Sequence, residues 1–248
     1  MSNLFNTFLV QPLFNALMAL YATIAFDDIG LAIIFLTIAI RVIFYPLFYK
    51  SYKNQTLLQK IQPEIKKIQK KFKGNKEHQA QELLRLYKEN NVNPFSGFFL
   101  ILIQLPILIA LYRVFLGGFA VDKLNNLYSF VIVEAPINVS FLSLIDLSKT
   151  NIIIVGLAAI AQFFHGKISL PKKAENSEVS AAERIGKQMM FIGPILTLVI
   201  LYSLPSAIGL YWLTSSGFSV IQQFFINKSL NKENTKNGEL SNTSEENI

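Results

Sequence analysis

The sequence predicts an all-α integral membrane protein with a five-transmembrane-helix core, and three observations predict it. Of 248 residues, 52% are hydrophobic and 16% charged, a balance typical of chains that live in lipid. Five apolar runs approach the length of a membrane-crossing helix. The Lys and Arg residues are gathered into loops that alternate with those runs, as the bias toward cytoplasmic positive charge requires. The net charge is +7 and there is no cysteine, which excludes disulfides, thiol chemistry and Cys-type zinc sites.

Residues 1–28 carry no Lys or Arg, so a secretory signal with a positive start is not indicated. Asn3, Thr7, Gln11 and Asn15 recur at every fourth position, on one helical face. This predicts an N-terminal amphipathic helix lying at the membrane interface. A full span is the rival, because 8–26 is nearly long enough. Asp27-Asp28-Ile29-Gly30 breaks the helix at a wet boundary.

Residues 29–49 form the first predicted span, with Pro46 positioned to kink its end. Arg41 is its one full charge. It lies about 13 Å of helix from the basic segment that follows, farther than a guanidinium stem can snorkel. A charge in hydrocarbon costs at least about 2.5 kcal/mol and therefore faces protein or a wet cavity. The five spans hold no Asp or Glu to pair with it. Thr37, one turn earlier, shares its face.

Residues 51–92 read as a two-helix hairpin in the cytoplasm. Leu58, Ile61, Ile65, Ile68 and Phe72 are spaced 3, 4, 3, 4, Lys73-Gly74-Asn75-Lys76 is a turn, and Ala80, Leu83, Leu84 and Tyr87 supply the second stripe. Pro63 interrupts the first helix. Eleven Lys/Arg against four Glu lie between 50 and 92. Aromatic interleaving is too thin for sequence-specific nucleic-acid binding. A solvated face held by anionic lipid suffices for such a loop; the sharper alternative is a docking arm for an incoming chain, a targeting factor or the ribosome.

The remaining spans are 95–117 (with Gln104, Pro106 and Arg113), 151–165 (with Gln162), 188–204 and 207–227, completing a core at 29–227. The polar tail at 228–248 is predicted to be disordered. Loops 50–92 and 166–187 carry eleven and five Lys/Arg, while 119–149 carries two. Five spans then put the N-terminus outside and the C-terminus in the cytoplasm.

No nucleophile–base pair, phosphate loop or metal cluster is visible, so no enzyme, metal or cofactor is expected. The polar residues inside apolar runs are Thr37, Arg41, Gln104, Gln162, Thr214, Ser215, Ser216, Gln222 and Gln223. Interhelical glue is the plain reading of the amides and hydroxyls, and Gln222 and Gln223 are expected to meet water near a helix end. Arg41 calls for water or an acidic visitor.

Several stretches, in order, resemble the YidC/Oxa/Alb family of membrane protein insertases from about Phe5 to Asn227. They are QPLF (Gln11–Phe14), TIAIRVIFYPL (Thr37–Leu47), Gln62-Pro63, LYKENNVNPFSG (Leu86–Gly97), LIQLPILIALY (Leu102–Tyr112), FLSLIDLS (Phe141–Ser148), PSAIGLYWLTSS (Pro205–Ser216) and IQQ (Ile221–Gln223). The resemblance implies a hydrophilic groove open to cytoplasm and lipid but closed outside, lined by Arg41 and Thr37. It implies that Tyr211 and Trp212 meet the nascent helix and that Gln162 is a groove residue; Gln104 joins this set as a buried amide. It also implies that hairpin 51–92 contacts partners, among them the ribosome, a targeting factor or the Sec translocon. The chain looks like a minimal bacterial member, in the inner membrane. Its tail has three Lys and four Glu, unlike members with a long basic ribosome-binding tail. The expected function is insertion of nascent membrane proteins into the lipid bilayer. The alternatives are a small-anion transporter or channel using Arg41, and a passive scaffold acting through the hairpin.

Overall fold

A computed structural model describes residues 2–116, 124, 126–134, 136–170 and 181–245. The chain is mostly helical. Helix α1 (Ser2–Phe5) passes through one π-helical turn (Asn6–Val10) into α2 (Gln11–Thr23). Then follow α3 (Ile29–Ile43), α4 (Tyr45–Lys60), α5 (Gln62–Lys71), α6 (Lys76–Glu89) and α7 (Ser96–Leu116). An antiparallel pair, β1 (Ser140–Phe141) and β2 (Ile145–Asp146), precedes α8 (Ile152–Ser169), α9 (Ala181–Tyr202) and α10 (Ser206–Glu245).

Among the described residues, two helices are long and apolar enough to cross a membrane alone, Asn3–Thr23 and Ile152–Ser169. The predicted first span at 29–49 is not one rod: α3 and α4 meet at Phe44 with a 70° bend. Pro46 lies in the first turn of α4, where its missing N–H costs nothing, and Phe44 has left helical geometry at φ −89°, ψ 10°. Leu102–Leu116 and Met190–Tyr202 are shorter apolar helices. Ile43, Val199 and Phe225 are among many large apolar side chains left exposed, the surface of a protein whose solvent is lipid.

The tail differs from expectation. Residues 228–245 continue α10 as helix, because extending an established helix adds a hydrogen bond for each residue fixed.

One core joins α2, α3, α7, α8 and α10 around Leu17, Met18, Ile33, Leu111, Ala158 and Ile208. Its end at the start of α3 is filled by the connection after α7: Val131, Ile137 and Leu147 are buried there. Asp28 organises this end. Its Oδ1 accepts from Leu31 N at 2.9 Å and caps α3. Its Oδ2 accepts from Leu142 N at 2.5 Å, holding the β-turn where Leu142 and Ser143 have φ of 52° and 56°. Gly30 lets that turn approach, since a Cβ there would sit 2.3 Å from Phe141 Cδ2. At the far side Lys149 O accepts from Ser206 N at 2.9 Å, and the Ser148 hydroxyl with Lys149 holds the exposed Asp146 carboxyl below the usual range.

The hairpin forms a separate small cluster of Ile61, Ile65, Leu86 and Val92, with Leu57, Leu58, Ile68, Leu83 and Tyr87 packed around it. The first stripe faces inward as its spacing predicts. The second is shifted: Leu84 is 58% exposed and Ala80 is exposed, while Leu86 takes the inward position. Burial raises the Tyr87 phenol above its ordinary pKa. Asn75 caps α6 through His78 N at 3.0 Å, ending the turn that Gly74 begins.

Gly30→Ala is expected to destabilise the fold by about 1–3 kcal/mol, because Phe141 must be displaced. Gly156→Ala, in a helix with nothing within 4 Å of a new Cβ, is expected to be neutral or stabilising by about 0.5–1 kcal/mol. Thermal unfolding of the two variants in detergent checks this; equal midpoints contradict it.

Candidate functional site

Arg41 reaches the last turn of α3 on the face that also buries Ile33, Thr37 and Ile40. The α3–α4 bend brings Phe48 of α4 beneath it: the guanidinium carbon stands 4.2 Å from the Phe48 ring centroid. A cation over a desolvated ring gains about 2 kcal/mol. Arg41 Nη2 donates to Ser215 Oγ of α10, and Nη1 is buried without a hydrogen-bond partner. Arg41 is 5% exposed and makes no ion pair with a carboxylate among the described residues.

Around it, α10 contributes a stripe of small hydroxyls. Ser215, Ser216 and Ser219 fall on one helix face and all line a half-open cavity of about 220 Å³. Gln104 of α7 donates to Tyr211 Oη and at 3.4 Å to Ser215 Oγ. Ser216 Oγ donates to Gln162 Oε1 of α8 at 3.1 Å. Ser219 Oγ satisfies itself on Ser215 O at 2.9 Å. The cavity wall is completed by Phe48, Tyr52, Leu105, His165 and Trp212. Four helices thus each place a polar side chain at one depth: α3 a cation, α7 and α8 amides, α10 hydroxyls.

Of the residues picked out by sequence, Arg41, Gln104, Gln162 and Trp212 line this cavity. Thr37 and Tyr211 do not. Thr37 is buried and donates to Ile33 O of its own helix at 2.6 Å, the back-bond that β-hydroxyl residues make in apolar helices. Tyr211 is buried behind the wall and enters only through its hydroxyl on Gln104. Thr214 likewise back-bonds to Leu210 O at 2.8 Å.

Gln222 and Gln223 do not meet water. They are 4% and 0% exposed, and Gln223 Nε2 donates to Thr56 Oγ1 at 3.0 Å, while Thr56 in turn donates to Asn227 Oδ1 at 2.7 Å. The reason is the bend: it swings α4 against α10 instead of letting it leave the bundle. That network locks the segment carrying Phe48 and Tyr52.

Sequence reasoning missed His165, Ser219 and the aromatic pair Phe48–Tyr52. Only His165 left a readable trace, as it follows Gln162 by three residues, on the same helical face. Trp212 also borders a second, wholly apolar crevice of about 140 Å³ with Leu108, Ile109, Tyr112, Ile200, Leu201, Leu204 and Ile208. Trp212 and Leu108 therefore stand between the cavity that holds the polar cluster and an apolar crevice that opens between α7 and α9.

Among the described residues no group of three His, Asp or Glu side chains could hold a metal ion. The arrangement has no nucleophile paired with a base. What it offers is polar partners that lipid lacks: fixed amides, hydroxyls and a guanidinium with one hydrogen-bonding nitrogen unpaired.

The family described as 60Kd inner membrane protein matches residues 19–234. Among similar proteins is one from Clostridium tetani (strain Massachusetts / E88) named membrane protein insertase YidC, 36% identical over 210 residues, which span 84% of this chain and 85% of that one. A protein of the same name from Fusobacterium nucleatum is 35% identical over 201 residues, 81% of this chain and 87% of its own. Another, from Syntrophobacter fumaroxidans, is 33% identical over 90% of this chain but only 38% of its own length.

The cavity is expected to be hydrated. In this cysteine-free chain, a thiol at Gln162→Cys should react with a membrane-impermeant maleimide added on the hairpin side. One at Ile160→Cys, 54% exposed on the outer face of α8, should not in a bilayer. Equal labelling of the two contradicts a wet cavity.

Proposed function

The chain belongs to the 60Kd inner membrane protein family, and from that premise we propose that it is a membrane protein insertase whose Arg41 cavity receives the short hydrophilic flank of a nascent membrane protein. The observation that carries this reading is Arg41 itself, a buried cation at the wall of the cavity with Nη2 satisfied by Ser215 and Nη1 left without a hydrogen-bond partner.

We read the core as five spans: 29–49 (bent at Phe44), 95–117, 151–165, 188–204 and 207–227, with hairpin 51–92 in the cytoplasm. The N-terminal helix then lies across the outer end of the bundle rather than through it. Contacts along its whole length support this. Phe5 packs under Arg113 at the end of α7, ring centroid 5.0 Å from the guanidinium carbon. Asn15 Oδ1 accepts from Tyr128 N at 2.6 Å, and Tyr21 Oη from Asn138 N at 3.0 Å. All three partners lie on the side where the basic-residue count places the exterior. Of the polar stripe of this helix, Asn15 pairs with the outer loop, while Asn3 and Thr7 remain exposed.

Insertion then needs no nucleotide and no covalent step. A flank entering from the cytoplasm exchanges part of its hydration for Gln104, Gln162, Ser215 and Ser216. An acidic group in the flank is drawn to Arg41: at 4 Å and an effective dielectric of 20 the attraction is about 4 kcal/mol before desolvation. The hydrophobic segment behind it passes Trp212 into the apolar crevice between α7 and α9. Its transfer to lipid, at about 25 cal/mol per Å² of apolar surface, drives the step. The filled outer end, with Val131, Ile137 and Leu147 buried, argues against a through-channel for small anions. Hairpin 51–92 is the proposed docking arm for a ribosome, targeting factor or Sec translocon.

In proteoliposomes, Arg41→Ala should lower insertion of a short single-span client with an acidic flank by roughly tenfold, the equivalent of about 1.4 kcal/mol. Arg41→Lys should lower it less. Replacing 62–89 of the hairpin by a short linker, which spares Tyr52 and Thr56 on α4, should leave the fold of the core but reduce delivery of clients made on ribosomes. Equal insertion by wild type, Arg41→Ala and Arg41→Lys removes the arginine from the mechanism.

A further inference from the structure

We propose that His165 is the second donor of the client seat and that, together with Arg41, it selects a carboxylate over a carboxamide in the incoming flank. This rests on the insertase reading above and adds a specificity residue to it.

Two buried side-chain atoms in the cavity wall lack hydrogen-bond partners, Arg41 Nη1 and His165 Nε2. Buried polar atoms are paired in the great majority of cases, and each unpaired one asks for an explanation. Two in one cavity are explained together by a guest that bonds both.

The groups are held by a common support. The Arg41 guanidinium lies over Phe48 at 4.2 Å. The His165 ring meets Tyr52 edge-on, centroids 5.8 Å apart and planes at 87°. Phe48 and Tyr52 stack on each other at 6.4 Å, one turn apart on α4, and are 1% exposed. The aromatic pair therefore sets the relative position of guanidinium and imidazole. The same bend at Phe44 that solvates Arg41 brings Tyr52 to His165.

A carboxylate has two acceptor oxygens. One can take Arg41 Nη1–H while the other takes Nε2–H of a neutral imidazole. A carboxamide that gives its oxygen to Arg41 turns its NH₂ to Nε2, and the imidazole must then move its proton to Nδ1 to accept it, a tautomer change that a carboxylate does not require. Two matched donors therefore favour the carboxylate. Arg41 alone supplies attraction to negative charge; His165 supplies the second bond that makes the seat bidentate. Gln162, one turn before His165, has its Oε1 taken by Ser216, which leaves its amide N–H groups to the rest of the flank.

The test uses full-length protein in liposomes and two single-span clients that differ only by Asp or Asn in the short flank. Wild type should insert the Asp client more efficiently, by about fivefold, the worth of one hydrogen bond. His165→Phe keeps a ring against Tyr52 but no donor. Its Asp-to-Asn insertion ratio should fall below that of wild type, toward the preference that the Arg41 charge alone supplies. His165→Gln, which restores an N–H, should recover part of the difference. An unchanged Asp-to-Asn ratio in His165→Phe, or an equal fall for both clients, overturns the inference and leaves the insertase reading standing. Wild type that inserts neither client above protein-free liposomes overturns both. A readout on the unsubstituted site comes from ¹⁵N chemical shifts, since the chain has two histidines, His78 and His165. An Asp-flank peptide should shift the His165 Nε2 resonance and the Asn version should not; equal shifts overturn the inference.

Discussion

A guanidinium buried in a helix bundle that faces lipid has to be solvated by something the protein supplies, and here that is one serine hydroxyl and one aromatic face. Ser215 takes Nη2 and Phe48 takes the π-face of Arg41. Neither is enough to neutralise a full charge, and the remaining Nη1 is left buried and unpaired at the wall of a cavity. Other features follow from this. The polar stripe of α10 is where Ser215 must lie. The 70° bend at Phe44 is what puts Phe48 beneath the cation. The Thr56–Gln223–Asn227 network holds the bent segment in place.

The bundle is asymmetric because its two ends are built differently. At the end where α3 begins one carboxylate, Asp28, caps α3 and grips the turn between β1 and β2, and Gly30 admits Phe141 against the helix. Hydrophobic side chains of the connection after α7 fill what is left. At the opposite end α4 packs along the half-open cavity that Trp212 also lines. A polar compartment that is sealed on one side and open on the other, next to an apolar crevice, suits a guest with a polar end and an apolar body. That pairing of compartments matches family membership with residue-level chemistry.

Much of this was legible in the sequence because the cost of a mistake is high in lipid. Arg41 stood out as a lone charge in an apolar run, and Gln104 and Gln162 as amides in theirs. Pro46 marked the bend. The hairpin seam at Leu58, Ile61, Ile65 and Ile68 followed from its spacing. What was hidden depends on tertiary geometry. Thr37 shares a face with Arg41, but its hydroxyl back-bonds to Ile33, a choice that periodicity does not reveal. Gln222 and Gln223 were expected in water until the bend returned α4 to α10. Phe48 and Tyr52 are ordinary aromatics until the bend direction is known. Asn15 reads as part of an interfacial stripe, yet its partner is the backbone of Tyr128, more than a hundred residues away. Leu84 and Leu86 exchanged roles because neighbouring leucines on a short helix fit two registers of the same stripe.

The central claim is that Arg41 is in contact with water while the protein sits in a bilayer. Water-edited solid-state NMR on bilayer samples with ¹⁵N-labelled arginine measures this directly, and the chain has only four arginines to assign: Arg41, Arg85, Arg113 and Arg184. Rapid magnetisation transfer from water to the Arg41 guanidinium, comparable with that to the exposed Arg85, is the result this account predicts. Transfer to Arg41 from lipid acyl protons, with none from water, would contradict it.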